Sequence, residues 1–125
     1  MRSVEMAELL ITEIDGIGEA EYLKVNAELG IDSDGQGDWP DGLISHTAGT
    51  NDGGLIVIEI WESREAQEAE MPKLGAAIQK TGLQEKPMRA NWSKLKAHVI
   101  PNKAISGGMV EAQGRVSSAK TAATT

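Results

Sequence analysis

Apolar and polar residues alternate along several short segments of the chain, whereas two longer segments repeat their apolar residues at helical spacing. Alternation is typical of a half-buried strand, and a spacing of three to four residues is typical of an amphipathic helix. The predicted strands cover 7–14, 42–50, 54–62 and 88–100, and the predicted helices cover 18–29 and 64–81. This order, β-α-β-β-α-β, predicts an α+β ferredoxin-like fold, in which an antiparallel sheet carries two helices on one face.

The ends of the two predicted helices carry residues that favour helix termination. Ser63 is a good N-cap for the second helix, and Gly30 and Gly82 stand where C-caps are expected. Pro72 lies inside the second helical segment and has no backbone N–H to donate. We therefore expect the second helix to kink or restart after residue 71.

The turn-forming sequence NDGG at 51–54 joins two runs rich in Ile, Leu and Val and predicts a β-hairpin. A two-residue turn would place His46 opposite Glu59 and Ile44 opposite Trp61. A turn one residue longer would break this register, because every side chain would change face.

Alternation along the third predicted strand separates its side chains into two different faces. Ile56, Ile58 and Ile60 form one face, which suits a dry interface between two subunits. The mixed face is expected to look toward the helices and any pocket, and it carries Leu55, Val57, Glu59 and Trp61.

The composition changes near the end of the chain. Of its 125 residues, 1–100 are predicted to form one domain, whereas 101–125 are rich in Ala, Ser, Thr, Gly and Lys and contain no aromatic residue. Such a segment buries too little apolar surface to offset its ordering entropy, so it is predicted to be a disordered tail.

The charge and composition of the chain bear on whether it binds nucleic acid, a membrane or a second copy of itself. The formal net charge is −7, which disfavours binding to a nucleic-acid backbone. The chain has no cysteine and no apolar run long enough for a membrane helix, so a cytoplasmic location without membrane contact is expected. Phenylalanine is absent, and this shortage of bulky core residues favours a homodimer.

The hairpin region and the start of the following helix resemble the dimeric α/β-barrel superfamily, which includes antibiotic-biosynthesis monooxygenase-like proteins. The resemblance implies that two ferredoxin-like subunits pair their sheets into a barrel and that a small hydrophobic ligand binds between each sheet and its helices. It rests on Gly42-Leu43, His46, Ala48-Gly49, Asp52-Gly53-Gly54 and Trp61-Glu62-Ser63.

The same superfamily contains cofactor-independent oxygenases, haem-degrading enzymes and isomerases. The haem-degrading members combine an Asn on the first strand, a Trp at the end of the third and a His on the second helix. Here only Trp61 matches. Haem degradation is therefore disfavoured, and no cofactor is expected.

A histidine and a carboxylate on neighbouring strands are a plausible acid–base pair. The hypothesis is that His46 removes a proton from an acidic C–H or phenolic O–H group, with Glu59 orienting the imidazole. Trp61 would stack on a flat substrate, and the other predicted substrate-binding residues are Ile44, Val57 and Tyr22. The alternative is a cross-strand ion pair with no catalytic role.

Two further alternatives remain for the function as a whole. The same pocket would also suit a non-catalytic protein that binds a small ligand, and the acidic surface and tail would suit a protein-interaction module. The loop at 32–38 resembles the start of a calcium-binding loop, but Leu43 stands where the bidentate Glu is needed. A solvated acidic turn is the simpler interpretation, and no metal site is predicted.

Overall fold

A computed structural model describes residues 6–32 and 34–101, together with the backbone of three short strands between residues 104 and 118. The chain forms seven strands and two helices within these residues. In order they are β1 (Glu8–Asp15), α1 (Glu19–Leu29), β2 (Leu43–Asn51), β3 (Gly54–Trp61), α2 (Arg64–Thr81), β4 (Met88–Lys94), β5 (Ala104–Ser106), β6 (Met109–Ala112) and β7 (Arg115–Ser118).

The first four strands form one open antiparallel sheet in the order β2-β3-β1-β4. The predicted order β-α-β-β-α-β is confirmed for residues 8–94, and the arrangement is compatible with a ferredoxin-like fold. Neither described helix is long and apolar enough to cross a membrane.

The hairpin between β2 and β3 has the predicted two-residue turn. The Asn51 side-chain oxygen accepts hydrogen bonds from the backbone N–H groups of Gly53 at 2.8 Å and Gly54 at 3.1 Å. Gly54 has a φ of 148°, and a Cβ at this position would collide with the backbone of Ile14 and Asp15 on β1. Only glycine therefore lets β3 begin this close to β1.

The core lies mainly between the sheet and the helices. β3 contributes half of the buried apolar residues, with Leu55 and Trp61 on the helix face and Ile60 on the other face. The remaining buried apolar residues are Leu10, Ile17 and Ala77.

Helix α2 begins at the predicted N-cap, where the Ser63 hydroxyl accepts a hydrogen bond from the Ala66 N–H at 3.1 Å. Helix α2 continues through Pro72, so it does not restart after residue 71, and the kink expected there stays a prediction. Pro72 removes a single donor, and the carbonyl that it leaves free belongs to the exposed Glu68, which water can reach.

Strand β4 ends at Lys94 and not near residue 100 as predicted. Its pairing partner β1 begins at Glu8, which lies opposite Lys94, and the Leu95 N–H donates to the Ala7 carbonyl just beyond. The described residues that follow, through 101, have no further length of β1 to pair with.

Beyond Pro101 the structure describes strands β5, β6 and β7, which form a three-stranded antiparallel sheet in that order. The sequence did not predict these strands. The remaining positions of the segment lie outside the described residues. The division into a domain over 1–100 and a disordered tail over 101–125 stays a prediction.

Replacing Gly54 with Ala tests how far the hairpin depends on this glycine. We expect a loss of about 1–3 kcal/mol in the free energy of unfolding, since Ala is strained at positive φ and its Cβ meets the β1 backbone. Gly75→Ala in α2 is the matched control, because no atom of the described residues lies within 4 Å of a Cβ there. Ala is the better helix former, so this control should gain up to about 1 kcal/mol. Urea denaturation of both variants measures the difference, and equal effects would contradict the role given to Gly54.

Candidate active site

The hairpin brings His46 and Glu59 together, as the two-residue turn predicts. The two residues are directly opposite each other on β2 and β3, and His46 Nδ1 lies 2.7 Å from Glu59 Oε2. Their side chains are 15% and 17% exposed. The pair is therefore largely shielded from water, and its interaction is screened less than that of a surface ion pair.

Tyr22 on α1 occupies the other side of the imidazole. Its hydroxyl oxygen lies 2.6 Å from His46 Nε2, and the two rings are almost parallel, at 12°. A carboxylate only accepts hydrogen bonds, so in the neutral imidazole Nδ1 donates to Glu59 and Nε2 accepts from the Tyr22 hydroxyl. Both ring nitrogens are thus occupied, and the hydrogen bonds fix one tautomer.

The second oxygen of the carboxylate is also occupied. Trp61 Nε1 donates a hydrogen bond to Glu59 Oε1 at 3.0 Å, while Oε2 accepts from His46. Trp61 is only 3% exposed, so its ring is packed in the core and holds the carboxylate in place. The stacking role predicted for Trp61 stays a prediction.

The structure does not bring Ile44 to the position expected for it. A bulge between Leu43 and Ser45 makes Ile44 an extra residue of β2, and Leu43, not Ile44, lies opposite Trp61. The Ile44 side chain is 51% exposed. Val57 lies two residues before Glu59 on the same strand and is half-buried, with Ala48 opposite it on β2.

Two residues near the pair were not predicted to belong to the site. Trp39, in the loop before β2, lies with its ring centre 5.1 Å from that of His46. Asn26 is one helical turn beyond Tyr22 on α1 and is only 5% exposed. Its spacing of four residues from Tyr22 was the available signal, and for Trp39 the signal was its rarity as a large aromatic residue.

Asn26 and Trp39 share an unusual feature. The side-chain nitrogen of each, Nδ2 and Nε1 respectively, is buried and has no hydrogen-bond partner among the described residues. A buried donor without an acceptor costs about 1–3 kcal/mol, so native proteins rarely keep one without a reason.

The environment of Tyr22 keeps its phenol neutral. Burial raises the pKa of Tyr22 above its ordinary value of 10.0, the Asn26 amide opposes this shift, and the negative charge of Glu59 adds to it. Tyr22 is therefore a hydrogen-bond donor at neutral pH.

An open cleft of about 480 Å³ lies beside this group of residues. Trp39 and Pro40 form part of one wall, and Ala69 and Lys73 of α2 form part of the other. Trp39 therefore takes part in both the cleft and the contact with His46. The cleft is open to solvent, and neither Tyr22 nor His46 is among the residues that line it.

Hydrogen bonds from backbone N–H groups to a carboxylate stabilise the acidic loop at 32–38. Asp32 accepts hydrogen bonds from the N–H groups of Asp34 and Gln36, at 3.2 and 3.0 Å. A hydrogen bond between the two carboxyl groups lowers the pKa of Asp32 and raises that of Asp34. Within the described part of the chain, no three His, Asp or Glu side chains are grouped so that they could hold a metal ion.

Comparison with models of known protein families, with characterised proteins and with solved structures finds no match to this chain. A ferredoxin-like arrangement alone does not specify an activity, since one fold carries many functions. The group formed by Tyr22, His46, Glu59 and Trp61 is therefore the feature of this chain that bears on function.

The raised pKa of Tyr22 predicts how stability changes at alkaline pH. The unfolded chain ionises near pH 10.0 while the folded chain still holds its proton, so the free energy of unfolding should fall as the pH rises above that value. Tyr22→Phe has no phenol to ionise, so its free energy of unfolding should fall less over the same pH range. Because Tyr22 is the single tyrosine of the chain, near-ultraviolet absorbance follows its titration directly. An ordinary pKa for the folded protein would contradict the burial of this phenol.

Proposed function

We propose that this protein is a small enzyme that removes a proton from a hydrophobic aromatic or enolisable compound. The observation that carries the proposal is the hydrogen-bonded series from Tyr22 through His46 to Glu59. A carboxylate that fixes the tautomer of an imidazole and stabilises its protonated form is a standard arrangement for a general base. His46 is the base in this proposal, and Glu59 orients it.

Proton abstraction leaves the substrate as a carbanion or phenolate and the imidazole as a cation beside Glu59. The imidazolium is formed 2.7 Å from the Glu59 carboxylate in a partly buried site, so the two opposite charges lie in direct contact. The resemblance to cofactor-independent monooxygenases supports a second step, in which the carbanion reacts with dioxygen. For an anthrone, a flat aromatic ketone that enolises, one atom of dioxygen would become the new carbonyl oxygen, and the other would leave as water with the two hydrogens of the methylene group.

We also propose that two copies of the chain associate through the sheet face opposite the helices. That face carries aliphatic side chains that are only partly covered in the single chain, because pairing of β1 with β3 places Ile11 next to Ile58. A row of such residues on a single-layer sheet favours burial against a second sheet. This association is the barrel that the resemblance implies.

The proton abstraction is tested with anthrone in deuterium oxide without oxygen. We expect the wild type to accelerate exchange at the anthrone methylene group, as followed by NMR. His46→Ala should lose about 100-fold or more of that acceleration, the usual contribution of a general base. His98→Ala is the matched control, since His98 is exposed and is the other histidine of the chain.

The possible results separate the candidate functions. Exchange at the wild-type rate in His46→Ala would contradict the assignment of the base. Saturable binding of anthrone without exchange would favour the non-catalytic binding protein. Oxygen uptake, measured afterwards in air, reports separately on the second step.

The proposed dimer is tested by placing a charge on the aliphatic face. We expect a dimer for the wild type and a monomer for Ile58→Asp, because a carboxylate at the centre of an apolar interface is costly to desolvate. Ile44→Asp is the control, since Ile44 is already 51% exposed in the single chain. Size-exclusion chromatography with light scattering measures the mass, and far-ultraviolet circular dichroism checks folding. A monomeric wild type would contradict the dimer.

A further inference from the structure

The imidazole of His46 has no free nitrogen with which to contact a substrate. Nδ1 is occupied by Glu59 at 2.7 Å and Nε2 by the Tyr22 hydroxyl at 2.6 Å. A general base must lie within hydrogen-bond reach of the proton that it removes. As the site stands, a substrate proton does not reach His46 without passing through Tyr22.

The Tyr22 oxygen is the end of the hydrogen-bonded series. Its one hydrogen is donated to His46, so the oxygen keeps lone pairs that accept a further proton or hydrogen bond. Tyr22 lies on α1 and is only half-buried. At the other end of the hydrogen-bonded series, beyond Glu59, Trp61 lies in the core. The outward end of the series is therefore the phenol.

Asn26, one helical turn beyond Tyr22 on α1, provides a second observation. Asn26 is only 5% exposed, and its Nδ2 has no acceptor among the described residues. Asn26 also opposes the rise in the pKa of Tyr22, which means that its amide favours the ionised phenol. The amide therefore gains an acceptor when negative charge develops on the Tyr22 oxygen, and stabilisation that grows with developing charge is what lowers a barrier.

We infer that Tyr22 exchanges the proton with the substrate and that His46 acts through it. As the Tyr22 oxygen takes a proton from the substrate C–H or O–H group, the hydrogen already on that oxygen moves to His46 Nε2. The C–H or O–H electron pair stays on the substrate as an anion, and the imidazolium formed is paired with Glu59. Tyr22 is a neutral phenol before and after the exchange. Asn26 is a positioning residue that stabilises charge on the phenol oxygen while the protons move.

This inference rests on the proposed function and specifies which atom of that site meets the substrate. The raised pKa of Tyr22 is consistent with it, because a relay of this kind needs a phenol that holds its hydrogen at working pH. The inference implies that the acidic group of the substrate approaches the Tyr22 oxygen on α1 and does not contact the imidazole of His46 directly.

The test is the anaerobic exchange of anthrone protons with the full chain and a set of variants. Tyr22→Phe should lose about 100-fold or more of the exchange rate, as much as His46→Ala, and the double variant should be no slower than either single one. Additive losses would mean that the two residues act separately and would overturn the relay.

Replacing tyrosine with fluorotyrosine during expression provides a second variant that preserves the shape of the site. Tyr22 is the single tyrosine, so the label changes this residue alone. Fluorination lowers the pKa of the phenol, and the alkaline limb of the pH–rate profile should move to lower pH if Tyr22 carries the proton. A purely structural tyrosine would leave the profile unchanged, and that result would overturn the inference.

Asn26→Leu serves to test the positioning role. The change removes the amide while roughly keeping the volume of the side chain, and it should raise the pKa of Tyr22 further, as read from the tyrosinate absorbance. An unchanged pKa in a folded Asn26→Leu variant would contradict the role of Asn26.

The outcomes distinguish the inference from the function on which it rests. A wild type that does not accelerate exchange would contradict both. A wild type that is active, with His46→Ala inactive and Tyr22→Phe fully active, would overturn the relay and leave the proposed function standing. Joint loss in Tyr22→Phe and His46→Ala, with the shifted profile of the fluorotyrosine protein, supports the relay.

Discussion

The register of the β2–β3 hairpin is the constraint on which the candidate site depends. Asn51 closes a two-residue turn with its side chain, and Gly54 lets β3 start against the β1 backbone. Because side chains alternate between faces, a slip of one residue would move His46 to the face opposite the helices and away from Tyr22. His46 can contact Glu59 on β3 and Tyr22 on α1 only in the observed register. That register is set by the few residues that form the turn of the hairpin.

The same group shows how a carboxylate is accommodated in a partly buried position. Burial of a charge is costly unless its lone pairs are satisfied, and Glu59 has a donor on each oxygen, from His46 and from Trp61. Trp61 is thus part of the core and part of the site at once. Its indole ring is buried, and its N–H donates to the carboxylate that orients the histidine.

Most of the fold could be predicted from the sequence, because its signals are local. The turn at 51–54, the cap at Ser63 and the alternation on β3 each depend on residues close together in the chain, and each gave the observed element. The bulge at Ile44, the early end of β4 and the course of α2 through Pro72 depend on a neighbouring strand or on solvent. For the site, strand pairing was enough to bring His46 to Glu59. The contacts made by Tyr22, Asn26 and Trp39 depend on how α1 and the following loop pack against the sheet, which periodicity does not specify.

The proposed function would account for the balance of donors and acceptors around His46. A structural network gains most when every buried group is paired, and a half-satisfied one is a net cost. Here Glu59 and the imidazole are fully paired, yet the nitrogens of Asn26 and Trp39 have no acceptor among the described residues. Both unpaired groups are donors, and both lie next to residues of the same site, Tyr22 and His46. An excess of donors is a disadvantage in the free protein, and it becomes an advantage when an oxygen carrying negative charge is present, whether on the Tyr22 phenol or on an enolate formed beside it.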